Sequence, residues 1–337
     1  MLLMSVTIKD IAKAANVSYA TVSRALSNHP EVSDKTKKKI QELAKEMGYT
    51  PNAIAKGLVT KNTHTLGLII PDITNPFFPE VAQGIEDCAN RNGYQVFLCN
   101  SNWQLSKEKE YLKALYGKRV DGIVIGPVSN DISHLLDTAS KNVPLVFAAY
   151  KPQAENCNYV VTDDYKSAVI AMEYLIKLGH RKIAFIGGQQ DSCTNKDRLN
   201  GYLDILKKYN IPTVPAYIKH GQFKQKSGYQ LTKELLIENE IPTAILAGND
   251  IIALGVIQAI EEFGLSVPNN ISVVGFDDIS FAALDKIQLT TVFQPKYKIG
   301  ELCVEILLDK IKNPCNSEFT HKVLEPKLII RKTCRGI

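Results

Sequence analysis

From Thr65 onward the chain alternates short, unbroken apolar runs with amphipathic stretches, and that rhythm leaves little choice of fold. The runs are TLGLIIP (65–71), YQVFLCN (94–100), VDGIVIGP (120–127), PLVFAA (144–149), YVVT (159–162), KIAFIGG (182–188), TAILAGND (243–250) and ISVVGFDD (271–278). They are rich in β-branched residues and lack period-two alternation, the pattern of strands covered on both faces. Stretches of helical period separate them, for example EVAQGIEDCANRNG (80–93) and YKSAVIAMEYLIKLG (165–179). Strand–helix repetition of this kind predicts an α/β fold with parallel, doubly wound sheets. Several runs end in a polar or glycine-rich tail (IIPDITN, FIGGQQD, LAGND, VGFDD). In such sheets ligands bind beyond the carboxyl ends of the strands.

The first 61 residues have another texture. TIKDIAKAA (7–15) places Ile8, Ile11, Ala12 and Ala15 at helical spacing behind Thr7 as N-cap. A second helix follows Ser18, and a third begins after Ser33 with Ile40, Leu43, Ala44 and Met47 on one stripe. This segment holds ten basic and five acidic residues, whereas the rest of the chain holds 30 of each. The whole positive excess therefore sits at one end, which points to nucleic acid as a partner of that end. Residues 50–64, TPNAIAKGLVTKNTH, read as a linker with a short marginal helix.

The length of 337 residues suits two or three domains. Seven scattered cysteines with no Cys-x-x-Cys pair argue against a zinc site or a disulfide framework and fit a reducing cytoplasm. The opening MLLMSVTIKD lacks the basic flank and cleavage site of a signal peptide, and no apolar stretch reaches the length of a membrane span. No cofactor or metal is expected.

Between Asn16 and Leu26 the sequence NVSYATVSRAL is polar yet almost uncharged. At 100° per residue, Tyr19, Ala20, Ser23, Arg24 and Ser27 share one arc, while Val22, Ala25 and Leu26 share another that can pack on helix 7–15. Short hydrogen-bonding groups, a methyl, a ring and one fork-shaped donor suit the floor of a DNA major groove, where Arg bridges guanine O6 and N7. Helix, turn and second helix together form a helix-turn-helix.

These residues carry a resemblance. VTIKDIAKAANVSYATVSRALSNHPEVSDKTKKKIQELAKEMGYTPNAIAKGL (6–58) resembles the DNA-binding headpiece of the lactose-repressor (LacI/GalR) family, and later motifs extend the likeness over essentially the whole chain. The resemblance implies that Tyr19, Ala20 and Arg24 read base edges and that Thr7, Ser18, Thr21, Ser23 and Asn28 hold phosphates. It also implies a hinge helix at 52–59 in the minor groove, with Asn52, Ala55 and Leu58 at the DNA and Leu58 as a wedge. It divides the chain into a headpiece (1–49), a hinge (50–61) and an effector and dimerisation domain (62–337). The last has a two-lobed periplasmic-binding-protein-like fold, lobe one at about 62–162 and 292–323, lobe two at about 163–291 and 324–337.

The same resemblance places a small sugar-like effector between the lobes. Asn75, Phe77 and Phe78 would form the lip; Thr162, Arg198, Phe223, Asn249, Asp277 and Gln294 complete the implied set. Arg and Asp suit hydroxyl pairs, and an aromatic face suits the apolar side of a sugar ring. Phe77, Phe78 and Phe223 read equally as core residues, and Asp277 as a turn residue. Two departures from the family, Ala149 for an acidic residue and Ile251 for a polar one, make the expected pocket more apolar. Lys296 reads either as a solvated lysine or as a contact to an acidic effector.

An enzyme is the first rival. The chain has no Gly-x-Ser-x-Gly, no Walker A, no strand-borne Gly-x-Gly-x-x-Gly and no His-x-x-x-His. A sugar-binding protein without DNA function is the second, opposed by the basic headpiece. Some relatives answer instead to a phosphorylated protein partner; the helix after QPKYKIGELC offers Lys296, Lys298 and Glu305 but no arginine for that purpose. A palindromic operator calls for a homodimer, whose face in the family lies on helices here at about 77–92 and 101–117. The expected function is repression of a carbohydrate-utilisation operon under control of the effector.

Overall fold

The computed structural model describes residues 6–49, 62–139, 143–237 and 241–337. Contacts divide the chain into two units, 1–63 and 64–337. The smaller contains helices α1 (Ile8–Ala15), α2 (Tyr19–Leu26) and α3 (Asp34–Glu46) around a core of Ile11, Ala15, Val22, Ala25 and Ile40. Local chemistry sets each end. The Asp10 carboxylate accepts both the N–H and the hydroxyl of Thr7 at the start of α1. These bonds hold the Asp10 carboxyl below its ordinary pKa. Asn16 ends α1 in the left-handed region at φ 56°, a conformation that asparagine tolerates. Ser18 then caps α2 by accepting from the Thr21 N–H at 3.1 Å.

The larger unit is built on two six-stranded sheets. The first has the order β11-β5-β4-β3-β1-β2, with β1 at Thr65–Ile70, β2 at Gln95–Asn100, β3 at Gly122–Ile125, β4 at Leu145–Ala148, β5 at Asn158–Thr162 and β11 at His321–Leu324. The second has the order β12-β10-β9-β8-β6-β7, with β6 at Ile183–Gly187, β7 at Ile218–His220, β8 at Ala244–Ala247, β9 at Ser272–Asp277, β10 at Thr290–Phe293 and β12 at Lys327–Ile329. Every pairing is parallel except β10 with β12. The α/β class with two parallel sheets is therefore as expected, and all eight apolar runs are strands. The four short strands β7, β10, β11 and β12 escaped the sequence reading.

Helices cover both faces of each sheet. On the first sheet these are α4 (Phe77–Arg91), α5 (Leu105–Gly117), α6 (Ser133–Ala139) and α11 (Lys296–Lys312); on the second, α7 (Asp164–Lys177), α8 (Cys193–Lys208), α9 (Gln225–Ile237) and α10 (Asp250–Glu262). Alternate residues of one strand feed opposite cores: Leu66, Leu68 and Ile70 face α4 and α11, while Ile69 faces α5. Two helix pairs touch backbone to backbone through glycine. A Cβ on Gly84 would collide with the Tyr297 carbonyl and one on Gly300 with that of Val81, where α4 crosses α11; Gly228 and Gly255 play the same part between α9 and α10.

One expectation fails here. β2 is not covered on both faces: it is the edge strand of the first sheet, and Phe97 and Leu98 are exposed. The chain passes between the sheets three times, from β5 into α7, from β10 into α11 and from β11 into β12. Two of these passages leave from the carboxyl ends of β5 and β10, and β10 lies beside β9 in the second sheet.

Candidate functional site

In the headpiece, α2 presents two unlike faces. Val22 and Ala25 are fully buried, whereas Ser18, Tyr19, Ala20, Arg24 and Asn28 are exposed and Thr21 and Ser23 half-buried. Thr7 is exposed at the start of α1. Arg24 is held by Glu31 at 3.0 Å, an exposed pair whose release costs less than about 1 kcal/mol. Asn28, at φ 58°, accepts from the Gln41 side chain of α3 at 2.9 Å. The implied hinge residues Asn52, Ala55 and Leu58 lie outside the described residues.

In the larger unit a cavity of about 590 Å³ opens between the two lobes at the strand ends. Asn75, Phe77, Phe78, Arg198, Phe223, Asn249, Asp277 and Gln294 line it. Thr162 does not. It is buried at the end of β5, paired in register with Leu324, and Val161 faces the cavity in its place.

A buried charge cluster forms one wall. Arg198, 2% exposed on α8, donates through Nε and Nη2 to one oxygen of Asp164, at 2.9 and 2.7 Å, and through Nη1 to the Gly248 carbonyl. Asp277 lies 3.6 Å from the same guanidinium, whose flat face covers the Phe276 ring at 4.4 Å. Burial acts to lower the Arg198 pKa, but Asp164 and then Asp277 outweigh it, and the net shift is upward. Burial raises Asp164 against the pull of Arg198. It raises Asp277 to about 6, opposed by Arg198 and Lys296. Gln294 donates to Asp277 at 2.7 Å and so supports its charged form. Asn249 caps α10, accepting from the Ile252 N–H, and Asn75 accepts from the Phe77 N–H. Both are thus fixed by their own backbone turns.

Lys296 answers to neither sequence reading. It is 2% exposed and lies outside the cavity lining. Its ammonium donates to the carbonyls of Asp277 (2.6 Å) and Asp278 (2.8 Å) and lies 3.4 Å from Glu80 of α4. The reason is local: Asp277 and Asp278 both have positive φ, 106° and 51°, which turns their carbonyls toward the first residue of α11. Ile251 is a second correction, since it packs against the core of the second sheet and not into the cavity. Ala149 does line the cavity, at φ 52°. With Trp103 (φ 57°) and Asp277, the lining holds three non-glycine residues in a conformation that costs of order 1–3 kcal/mol, a concentration typical of functional sites.

Sequence reasoning missed several lining groups. Asp164 is absent from the expected set, yet it is the main partner of Arg198. Trp103, Asn130 and His220 also line the cavity. Trp103 and Asn130 follow strands that the sequence reveals, so the carboxyl-end rule, applied to every such strand, was the signal available; His220 ends β7, a strand too short to be read. No group of residues suited to hold a metal ion occurs among the described residues, and no helix there is long and apolar enough to cross a membrane.

A helix-turn-helix unit and a two-lobed α/β unit with a polar cleft define a DNA-binding transcriptional regulator. Residues 7–52 match the model of bacterial regulatory proteins of the lacI family, and residues 63–333 match that of periplasmic binding proteins and the sugar-binding domain of the LacI family. The chain belongs to the LacI family of bacterial transcriptional regulators and is not an enzyme. Catabolite control protein A of Priestia megaterium is 40% identical over 308 residues, 90% of this chain and 92% of that one. The HTH-type transcriptional repressor PurR of Aliivibrio salmonicida (strain LFI1238) is 35% identical over 330 residues, 97% of this chain and 98% of that one. A crystal structure of the lac repressor dimer bound to operator and the anti-inducer ONPF superposes with a TM-score of 0.88 at 29% identity, covering 98% of this chain and 99% of that one.

Proposed function

We propose that this chain represses a carbohydrate-utilisation operon, binding a pseudo-palindromic operator as a homodimer and responding to a small polyhydroxyl effector in the cleft. The observation that carries the effector reading is the buried Arg198–Asp164–Asp277 cluster set beside aromatic walls. Three of the five guanidinium N–H groups are engaged by Asp164 and Gly248, which leaves donors for a ligand. Asp277 keeps one carboxylate oxygen beyond its bond to Gln294 for a hydroxyl. Phe78 and Phe223 offer rings to an apolar sugar face. On DNA, Tyr19, Ala20 and Arg24 would read bases while Thr7, Ser18, Thr21, Ser23 and Asn28 hold phosphates. The exposed edge strand β2, with Phe97 and Leu98, supports a dimer face formed with α4 and α5, which flank it in sequence.

One observation favours a second reading, control by a phosphorylated protein partner. Helix α11 has no arginine of its own, but Arg91 of α4 lies against its Glu301 at 2.6 Å, next to Lys298. A thermal-shift screen of the full chain against neutral sugars, sugar acids, sugar phosphates and nucleobases separates the two. A stabilising compound whose effect is lost in Arg198→Ala supports the effector reading. Silence across the screen moves the weight to the protein partner.

A further inference from the structure

We propose that Trp103 is a latch over the cleft, packed beside Phe223 where a ligand ring would stack, and that a ring-bearing effector displaces it. This rests on the effector reading of the cleft. Phe223 follows β7, and a Cβ placed on Gly188 would meet its Cζ, Cε1 and Cε2 at nearly equal distances. Such a point lies over the face of the ring and not at its edge, so one face of Phe223 is spent on the glycine backbone. Trp103 lies next to the same ring, with centroids 6.2 Å apart and planes inclined by 25°, a widely offset stack. The indole therefore stands beside Phe223 at the cavity, where a sugar or base stacking on that ring would have to push it aside.

The latch joins the lobes. Trp103 follows β2 of the first sheet, yet its side chain packs against the core cluster of the second. Its backbone is pinned at the end of β1: Ser101 N–H donates to the Ile70 carbonyl at 2.9 Å and Trp103 N–H to that of Pro71 at 3.0 Å. Only the side chain is free to swing. Asn102 and Trp103 both have positive φ, 52° and 57°, a conformation that asparagine tolerates and tryptophan rarely adopts. That backbone aims the half-buried indole across the cleft, where rotation about its side-chain torsions would uncover Phe223.

Trp103 is the only tryptophan in the chain, so its fluorescence reports the latch alone. Two measurements on the full chain test it. In the first, without ligand, acrylamide quenching is compared between wild type and Phe223→Leu, which keeps apolar bulk but removes the ring. The latch predicts stronger quenching and a red-shifted emission in the variant; equal quenching overturns it. In the second, cellobiose, ribose and hypoxanthine are titrated by thermal shift into wild type and Trp103→Ala. The latch predicts roughly 3- to 10-fold tighter binding to Trp103→Ala, the worth of the lost aromatic pair. A probe that binds wild type as tightly as the variant, or more tightly, overturns the latch and leaves the effector reading standing. If no probe stabilises either protein, the effector reading fails for these classes and the latch falls with it, whatever the quenching shows.

Discussion

Arg24 is poised and cheaply released. It is exposed on α2 and held only by Glu31, itself exposed, so its fork can be redirected to a guanine at little cost. Replacing Arg24 with Ala is expected to cost about 1–3 kcal/mol of operator affinity and to relax preference at one base pair per half-site. Anisotropy titrations against single-base operator variants check this, and unchanged base preference would contradict the docking. Asp277 is poised in the opposite sense, buried and titrating near 6. Its folded pKa lies above the ordinary carboxylate value, so its contribution to stability is fully present below about pH 4 and is lost as pH rises through 6. The proposed effector binding runs the other way, because the ionised form accepts hydroxyls. Calorimetry is expected to show about tenfold weaker binding at pH 5 than at pH 7. Lys296 and Trp103 mark the limit of sequence reading at this scale. A buried lysine is called for only once Asp277 and Asp278 turn their carbonyls inward, and nothing in QPKYKIG announces those two left-handed residues.

At the scale of elements, most of the fold was legible because burial writes itself into period. The eight apolar runs are strands, and the two arcs of α2 separate buried Val22 and Ala25 from exposed Tyr19 and Arg24. What periodicity could not give is position in a sheet. β2 has the same apolar texture as β3, but β2 is an edge and β3 has neighbours on both sides. The strands of three or four residues at 218–220, 290–293, 321–324 and 327–329 are too short to show a period, and pairing with longer strands defines them. Glycines in α4 and α11 were also opaque, since their reason lies in a partner helix some 200 residues away. Gly300→Ala is expected to force those helices apart at the Val81 carbonyl and to cost about 1–3 kcal/mol. Urea unfolding measures it. A variant as stable as wild type would mean that the crossing tolerates a methyl.

For the whole molecule, the sequence separated a basic end from a neutral body, and the structure divides the chain at residue 63. The exposed apolar edge at β2 belongs to this scale, because an edge of that kind is a ready surface for pairing with a second copy. Leu98→Glu is expected to convert the proposed dimer to a monomer in light scattering and to weaken operator binding sharply at nanomolar protein; a variant that stays dimeric moves the interface elsewhere. Regulation needs the two events to be coupled, and a 100-fold change at the operator corresponds to about 2.7 kcal/mol. The decisive measurement is operator affinity by fluorescence anisotropy, with and without the compound that most stabilises the protein in the thermal screen, in wild type and Asp277→Asn. A shift of about 100-fold is expected in wild type, in either direction, and none in Asp277→Asn, whose affinity for the operator is otherwise unchanged. A compound that calorimetry shows to bind at the cleft but that leaves the wild-type operator affinity unaltered would contradict it.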